Sequence, residues 1–153
     1  MQIQETFIVA APPEAVWAFF EDVEKVAQCV PGVRSIDTLG PDRYKVVASQ
    51  KVGFISATFE LTMELAGKEP LRHIEFTSVG KSIAGAAANM RSRDRVDFAP
   101  AEGGGTEVRL TSEVAVGGML GALGHKAIAS KSREMTAKFA EALRGQLEQA
   151  DRA

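Results

Sequence analysis

Gly80-Lys81-Ser82 reproduces the end of a phosphate-binding loop, whose lysine and hydroxyl would meet the phosphates of a nucleotide. That chemistry needs a glycine five residues before Gly80 and a helix after Ser82, so that loop and helix N–H groups cradle the anion together. Position 75 is Glu75, and the residues after Ser82 alternate like a strand, which removes the nucleotide. Acid–base candidates are scarce. The histidines are His73, expected on the outer face of a strand, and His125, early in the last helix. Asp94, Glu5 and His125 could meet inside a cavity and move a proton there if burial shifts their pKa, which makes Asp94 and His125 the catalytic candidates. The competing role for Asp94 is that of a hydrogen-bonded structural group. Cys29 is the only cysteine, so there is no internal disulfide and no cysteine metal cluster, and ahead of Pro31-Gly32 it reads as a small buried residue ending a helix. No metal and no cofactor is expected.

The stretch after Lys81 has a second meaning. If Val96 and Phe98 face inward, parity puts Ala84, Ala86, Ala88, Met90, Ser92 and Asp94 on the inner face, with Asn89, Arg91, Arg93, Arg95 and Asp97 outside. Small and polar residues in mid-sheet leave space. At ~24 cal/mol per Å³, a void of ~300 Å³ would cost roughly 7 kcal/mol, comparable with a domain's whole stability, so such a space should hold water or a ligand. Phe59, Phe76, Leu110, Ser112, Leu123 and Ile128 complete the expected wall. The alternative is a last helix packed closely on the alanines, with no cavity.

The elements that would position these residues follow from periodicity. Residues 2 to 9 alternate with Ile3, Phe7 and Val9 on one face, and "APPEAVWAFF" puts Pro12 and Pro13 at a helix start, where a missing N–H costs little. Asp22 can cap a second short helix, "VEKVAQC", which stops before Pro31. From Val33 to about Val116, period-two segments are separated by turn signals at Gly40-Pro41-Asp42, Gly53, Gly67 with Pro70, Gly80 and Glu102-Gly103-Gly104-Gly105, giving six more strands. After Gly117-Gly118 the period becomes helical: Leu120, Leu123, Ala127, Ile128, Met135, Phe139, Leu143 and Leu147 form one stripe. The class is α+β, an antiparallel sheet curled around a long C-terminal helix.

Alternate turns of such a sheet lie at one end. Phe54, Ile55, Ile83, Met119 and Leu120 should gather there with Lys51, Lys81 and Lys126, forming a greasy mouth with a cationic rim suited to a membrane surface or a partner. Between Gly118 and Arg133 the helix has Lys126, Lys131 and Arg133 but no acid, although its first turn would favour one. The competing reading is that Phe54 and Leu120 close the end of the sheet and the lysines are merely solvated.

At 153 residues the chain fits one domain, read as 1–150 with a tail at 151–153. With 18 basic against 20 acidic residues, the charge gives no sign of nucleic-acid binding. "MQIQETFIVAAPPE" lacks the features of an export signal and no segment approaches ~18 apolar residues, so a cytoplasmic domain is expected, peripheral at the inner membrane face if the greasy end docks there.

"APPEAVWAFFEDVEKVAQCVPGV", "GPDRY", "KVGFISATFE", "GGGTEV" and "VGGMLGALG", in this order from Phe7 to about Leu147, resemble the CoxG family, the G-subunit family of carbon monoxide dehydrogenase. The resemblance implies the helix-grip, START-like (SRPBCC) fold: a seven-stranded antiparallel sheet gripping the C-terminal helix around a hydrophobic cavity, with two short helices after the first strand. It also implies a non-enzymatic accessory protein that binds a lipid or quinone-like molecule and is associated with a molybdenum hydroxylase of the CO dehydrogenase type, in maturation, membrane recruitment or electron transfer to quinone. The alternatives within the superfamily are a small cyclase- or hydrolase-like enzyme and an assembly chaperone for the molybdenum enzyme. Some members carry a C-terminal membrane-attaching extension, whereas this chain stops soon after Leu147 with "EQADRA", so self-anchoring is not expected.

Overall fold

A computed structural model describes residues 1–152, with side chains to Glu148. The strands are β1 (Gln2–Val9), β2 (Val33–Gly40), β3 (Arg43–Val52), β4 (Ile55–Glu69), β5 (His73–Gly85), β6 (Ala88–Pro100) and β7 (Thr106–Gly117). Helices α1 (Pro13–Glu21) and α2 (Val23–Cys29) follow β1, and α3 (Gly118–Gly121) and α4 (His125–Arg152) follow β7. The seven strands form one antiparallel sheet in the order β1-β7-β6-β5-β4-β3-β2, so the first strand pairs with the last. Helix α4 lies against β1, β3 and α2 on the inner side of this curled sheet.

Local chemistry sets these boundaries. Pro13 opens α1, and Pro12 O accepts from the N–H groups of Ala15 and Val16. Asp22 caps α2 by accepting from the Lys25 N–H at 3.3 Å. After α2, Gly32 adopts φ +88°, and a Cβ there would lie 2.2 Å from Ser49 O. Only glycine permits that approach, which lets Ser49 N–H donate to Gly32 O at 2.8 Å and ties the α2–β2 turn to β3.

Two expected boundaries move. Gly80 is not a turn; it lies inside β5 opposite Leu61, where a Cβ would strike Glu60 O at 2.3 Å. The turn instead falls at residues 85–87, with Gly85 at φ +78°. The expected single last helix is broken after Gly121, because Gly124 at φ +88° separates α3 from α4. At the far end α4 runs to Arg152, and Ala153 lies outside the described residues.

The core divides into two clusters. The larger contains Phe7, Val9, Trp17, Phe20, Val96, Phe98, Val108, Phe139 and Leu143. Its rings meet mostly edge to face, with Phe20 and Phe98 centroids 5.1 Å apart and Trp17 and Phe98 5.7 Å apart. The smaller contains Val52, Ile55, Ala57, Phe59, Ala88 and Leu120, under the tips of the β3–β4 and β5–β6 hairpins. Along β6 and β7 the residues between the clusters, Met90-Ser92-Asp94 and Leu110-Ser112-Val114, face inward and are only partly buried.

Candidate ligand cavity and exposed rim

Those inward residues stay partly buried because they bound a cavity of about 470 Å³. Its sheet wall is built by Val46, Ala48, Gln50 and Val52 of β3, Phe59, Leu61 and Met63 of β4, Phe76 and Ser78 of β5, Met90, Ser92 and Asp94 of β6, and Leu110, Ser112, Val114 and Val116 of β7. Helix α2 contributes Val23, Val26 and Ala27, spaced so that one face meets the space, with Val30 just beyond its end, and α4 contributes Ile128, Lys131, Ser132, Met135, Thr136 and Phe139. The surface facing the space is overwhelmingly apolar.

Of the residues expected to form this wall, Phe59, Phe76, Met90, Ser92, Asp94, Leu110, Ser112 and Ile128 line it, and Ala84, Ala86, Ala88 and Leu123 do not. A β-bulge displaces the first of the alanines. Thr58 pairs with Ala84 but Phe59 pairs with Ser82, so Ile83 is an extra residue on β5. A one-residue shift reverses the side on which every following residue lies, and Ala84 is exposed as a result. Ala86 sits in the hairpin tip, and Ala88, 7% exposed, packs with Leu120 in the smaller cluster. Leu123 and Ala127 pack on that cluster too, so at this end the chain does close on its alanines, while the cavity lies further along the strands.

The polar spots in the wall are specific. Ser92 Oγ donates to Asp94 Oδ2 at 2.9 Å, and Ser112 Oγ, from the facing position on β7, donates to Asp94 Oδ1 at 2.7 Å. Burial pushes the Asp94 carboxyl above its ordinary range, and the two hydroxyls pull it part of the way back. Among the described residues no cation pairs with it. Glu5 accepts a hydrogen bond from Thr136, which joins β1 to α4 beside the cavity. Gln50 donates to Pro31 O at 2.9 Å and holds the α2–β2 turn at the rim. His125 is exposed at the start of α4 and does not line the cavity, so the expected Asp94, Glu5 and His125 grouping does not assemble. Cys29 is buried, and burial pushes its thiol up, away from reactivity. Among the described residues no group of His, Cys, Asp and Glu is placed to hold a metal.

The hairpin tips do gather at one end. Ala86 N–H donates to Ser56 O at 2.9 Å and Met119 N–H to Ala87 O at 2.8 Å, so the β3–β4 tip, the β5–β6 tip and α3 are joined through backbone. Phe54 is 88% exposed, and Ile83 and Met119 are 53% exposed. Lys51, Lys81 and Lys126 are exposed as well. Ile55 and Leu120 were expected at this mouth, but they point inward into the smaller cluster, since alternation from Phe54 and one helical turn at Gly118–Gly121 turn them to the core. Among the described residues no helix is long and apolar enough to cross a membrane.

The walls supplied by α2, by β3 and by Lys131, Ser132 and Thr136 of α4 lie outside the set expected from sequence. In β3 the signal was present: Val46, Ala48, Gln50 and Val52 alternate with a small and a polar residue in the middle, as β6 does.

The family model for the carbon monoxide dehydrogenase G-subunit (CoxG) matches residues 6–148. No curated protein matches the sequence. Among solved structures, a conserved protein from Geobacillus kaustophilus aligns with TM-score 0.88 at 17% identity, over 98% of this chain and 97% of that one. A START superfamily protein from Mycobacterium smegmatis aligns with TM-score 0.71 at 17% identity, over 97% and 98%. The Zhui aromatase/cyclase of a Streptomyces species aligns with TM-score 0.69 at 18% identity, over 100% and 96%. At these identities the structural likeness establishes the fold alone, a START-like sheet around a C-terminal helix.

Proposed function

The chain belongs to the CoxG family of carbon monoxide dehydrogenase, and on that premise we propose that it is a non-enzymatic carrier of an apolar small molecule, lipid or quinone-like, held between its two core clusters. The observation that carries this reading is the cavity of about 470 Å³ with its apolar wall. Water filling it would find few polar partners, whereas an apolar molecule would be desolvated by the wall.

The exposed end supports delivery. Phe54, Ile83 and Met119 present apolar surface beside Lys51, Lys81 and Lys126, a combination that suits the anionic cytoplasmic face of a membrane, where each nearby cation contributes about 1 kcal/mol. In this reading the protein docks there peripherally and serves a molybdenum hydroxylase of the CO dehydrogenase type, in electron delivery to quinone, membrane recruitment or maturation. A cyclase-like enzyme would need Asp94 and His125 in one space, and His125 stands outside it.

Gentle purification followed by organic extraction and mass spectrometry tests the carrier. An apolar molecule co-purifies, and Ala48→Phe, which fills the wall of β3, lowers its yield. A protein that emerges empty and takes up neither lipid nor quinone contradicts the reading.

A further inference from the structure

In the middle of the mostly apolar sheet wall, Ser78, Ser92, Asp94 and Ser112 from three neighbouring strands form one polar group lining the cavity. The hydrogen bonds inside this group fix what it can still do. Ser92 and Ser112 each spend their only O–H on Asp94, so both hydroxyl oxygens and the remaining carboxylate lone pairs are left as acceptors. Ser78 differs. It is 7% exposed, lines the cavity, and among the described residues its hydroxyl has no protein partner, so it is free both to donate and to accept. Its register partner is Ser92, which makes Asp94 its diagonal neighbour on β6, and diagonal neighbours in an antiparallel ladder stand about 7–8 Å apart. Both residues line the same space, so a ligand group entering between them meets both.

The group that fits must therefore donate to Asp94 and accept from Ser78. A hydroxyl does both. A carbonyl or ether oxygen can accept from Ser78 but adds no third donor to Asp94 beside Ser92 and Ser112, so it forgoes the hydrogen bond that a hydroxyl makes to the carboxylate. An ammonium would satisfy Asp94, yet Lys131 of α4 already places a cation on the opposite wall of the same cavity, so a second is disfavoured.

The geometry points to Asp94 and Ser78 as a head-group site that selects, among apolar molecules, those bearing a hydroxyl such as a phenol or hydroquinone. This rests on the carrier reading above and adds the class of ligand.

Titration calorimetry with 4-nonylphenol and its methyl ether, 4-nonylanisole, tests it. The two share an apolar body and differ in the donor alone. The phenol should bind roughly tenfold more tightly, the ratio expected for a hydrogen bond to a charged or strongly polar acceptor. Asp94→Leu should reduce that ratio to about threefold or less, because only the phenol donates to Asp94, whereas Ser78→Ala should weaken phenol and ether alike by severalfold and leave their ratio near tenfold. Saturable binding of the ether by each variant shows that it is folded. Equal binding of phenol and ether by the unaltered protein overturns the head-group site and leaves the carrier standing. Binding of neither overturns both.

Discussion

Ser112 and Asp94 are register partners across β6 and β7, and the hydroxyl of the first donates to the carboxylate of the second at 2.7 Å inside the cavity. Burial still outweighs this bond and its companion from Ser92, so the carboxyl sits above its ordinary range. A raised carboxyl pKa means that the folded state holds the proton more tightly than the unfolded chain. Its contribution to stability is present below the unfolded value near 3.8 and is lost as pH rises through the folded value.

Asp94→Asn should accordingly raise Tm at neutral pH, and the gain should shrink as pH falls towards the ordinary aspartate range. The other charged groups beside the cavity, Glu5, Arg95 and Lys131, are common to both proteins and cancel in the difference. Thermal melts of the two proteins across the acidic range measure it, and a gain that grows on acidification contradicts the sign.

Gly32→Ala should destabilise by about 2 kcal/mol or more, because the new Cβ would lie 2.2 Å from Ser49 O at a φ of +88°. Gly53 is also left-handed, at φ +61°, but has open space around it, so Gly53→Ala should cost only about 1 kcal/mol. Denaturant midpoints of the two variants separate the backbone strain from the collision.

Phe54→Ser together with Ile83→Ser should leave stability within about 0.5 kcal/mol, since both side chains are mostly in water. The same pair should weaken pelleting with vesicles containing about a quarter phosphatidylglycerol by severalfold, and raising salt should do the same by screening the nearby lysines. Unchanged pelleting would separate this end from membrane docking.

Much of this architecture was legible because period and punctuation carry it. Residues 2 to 9, Thr106 to Val116 and the proline-opened α1 have patterns that a buried face imposes directly, and Val96 with Phe98 oriented β6 correctly. Ala84 was misplaced for a physical reason: the bulge at Ile83 is a property of the pairing between β4 and β5, and no local residue signals it. Gly80 looked like a turn because glycine usually punctuates, yet it serves close approach to Leu61. The break at Gly124 is hidden in the sequence because the apolar stripe continues across it. The cavity was anticipated, but from the wrong small residues; Ala48 on β3, rather than Ala86, is where added bulk meets it.

Calorimetric titration with a decyl-substituted benzoquinone tests the central claim most directly. The account predicts saturable binding of one molecule per chain, weakened about tenfold or more by Ala48→Phe, since adding bulk to a filled, close-packed wall excludes the ligand. The absence of saturable binding, or affinity untouched by Ala48→Phe, would contradict it.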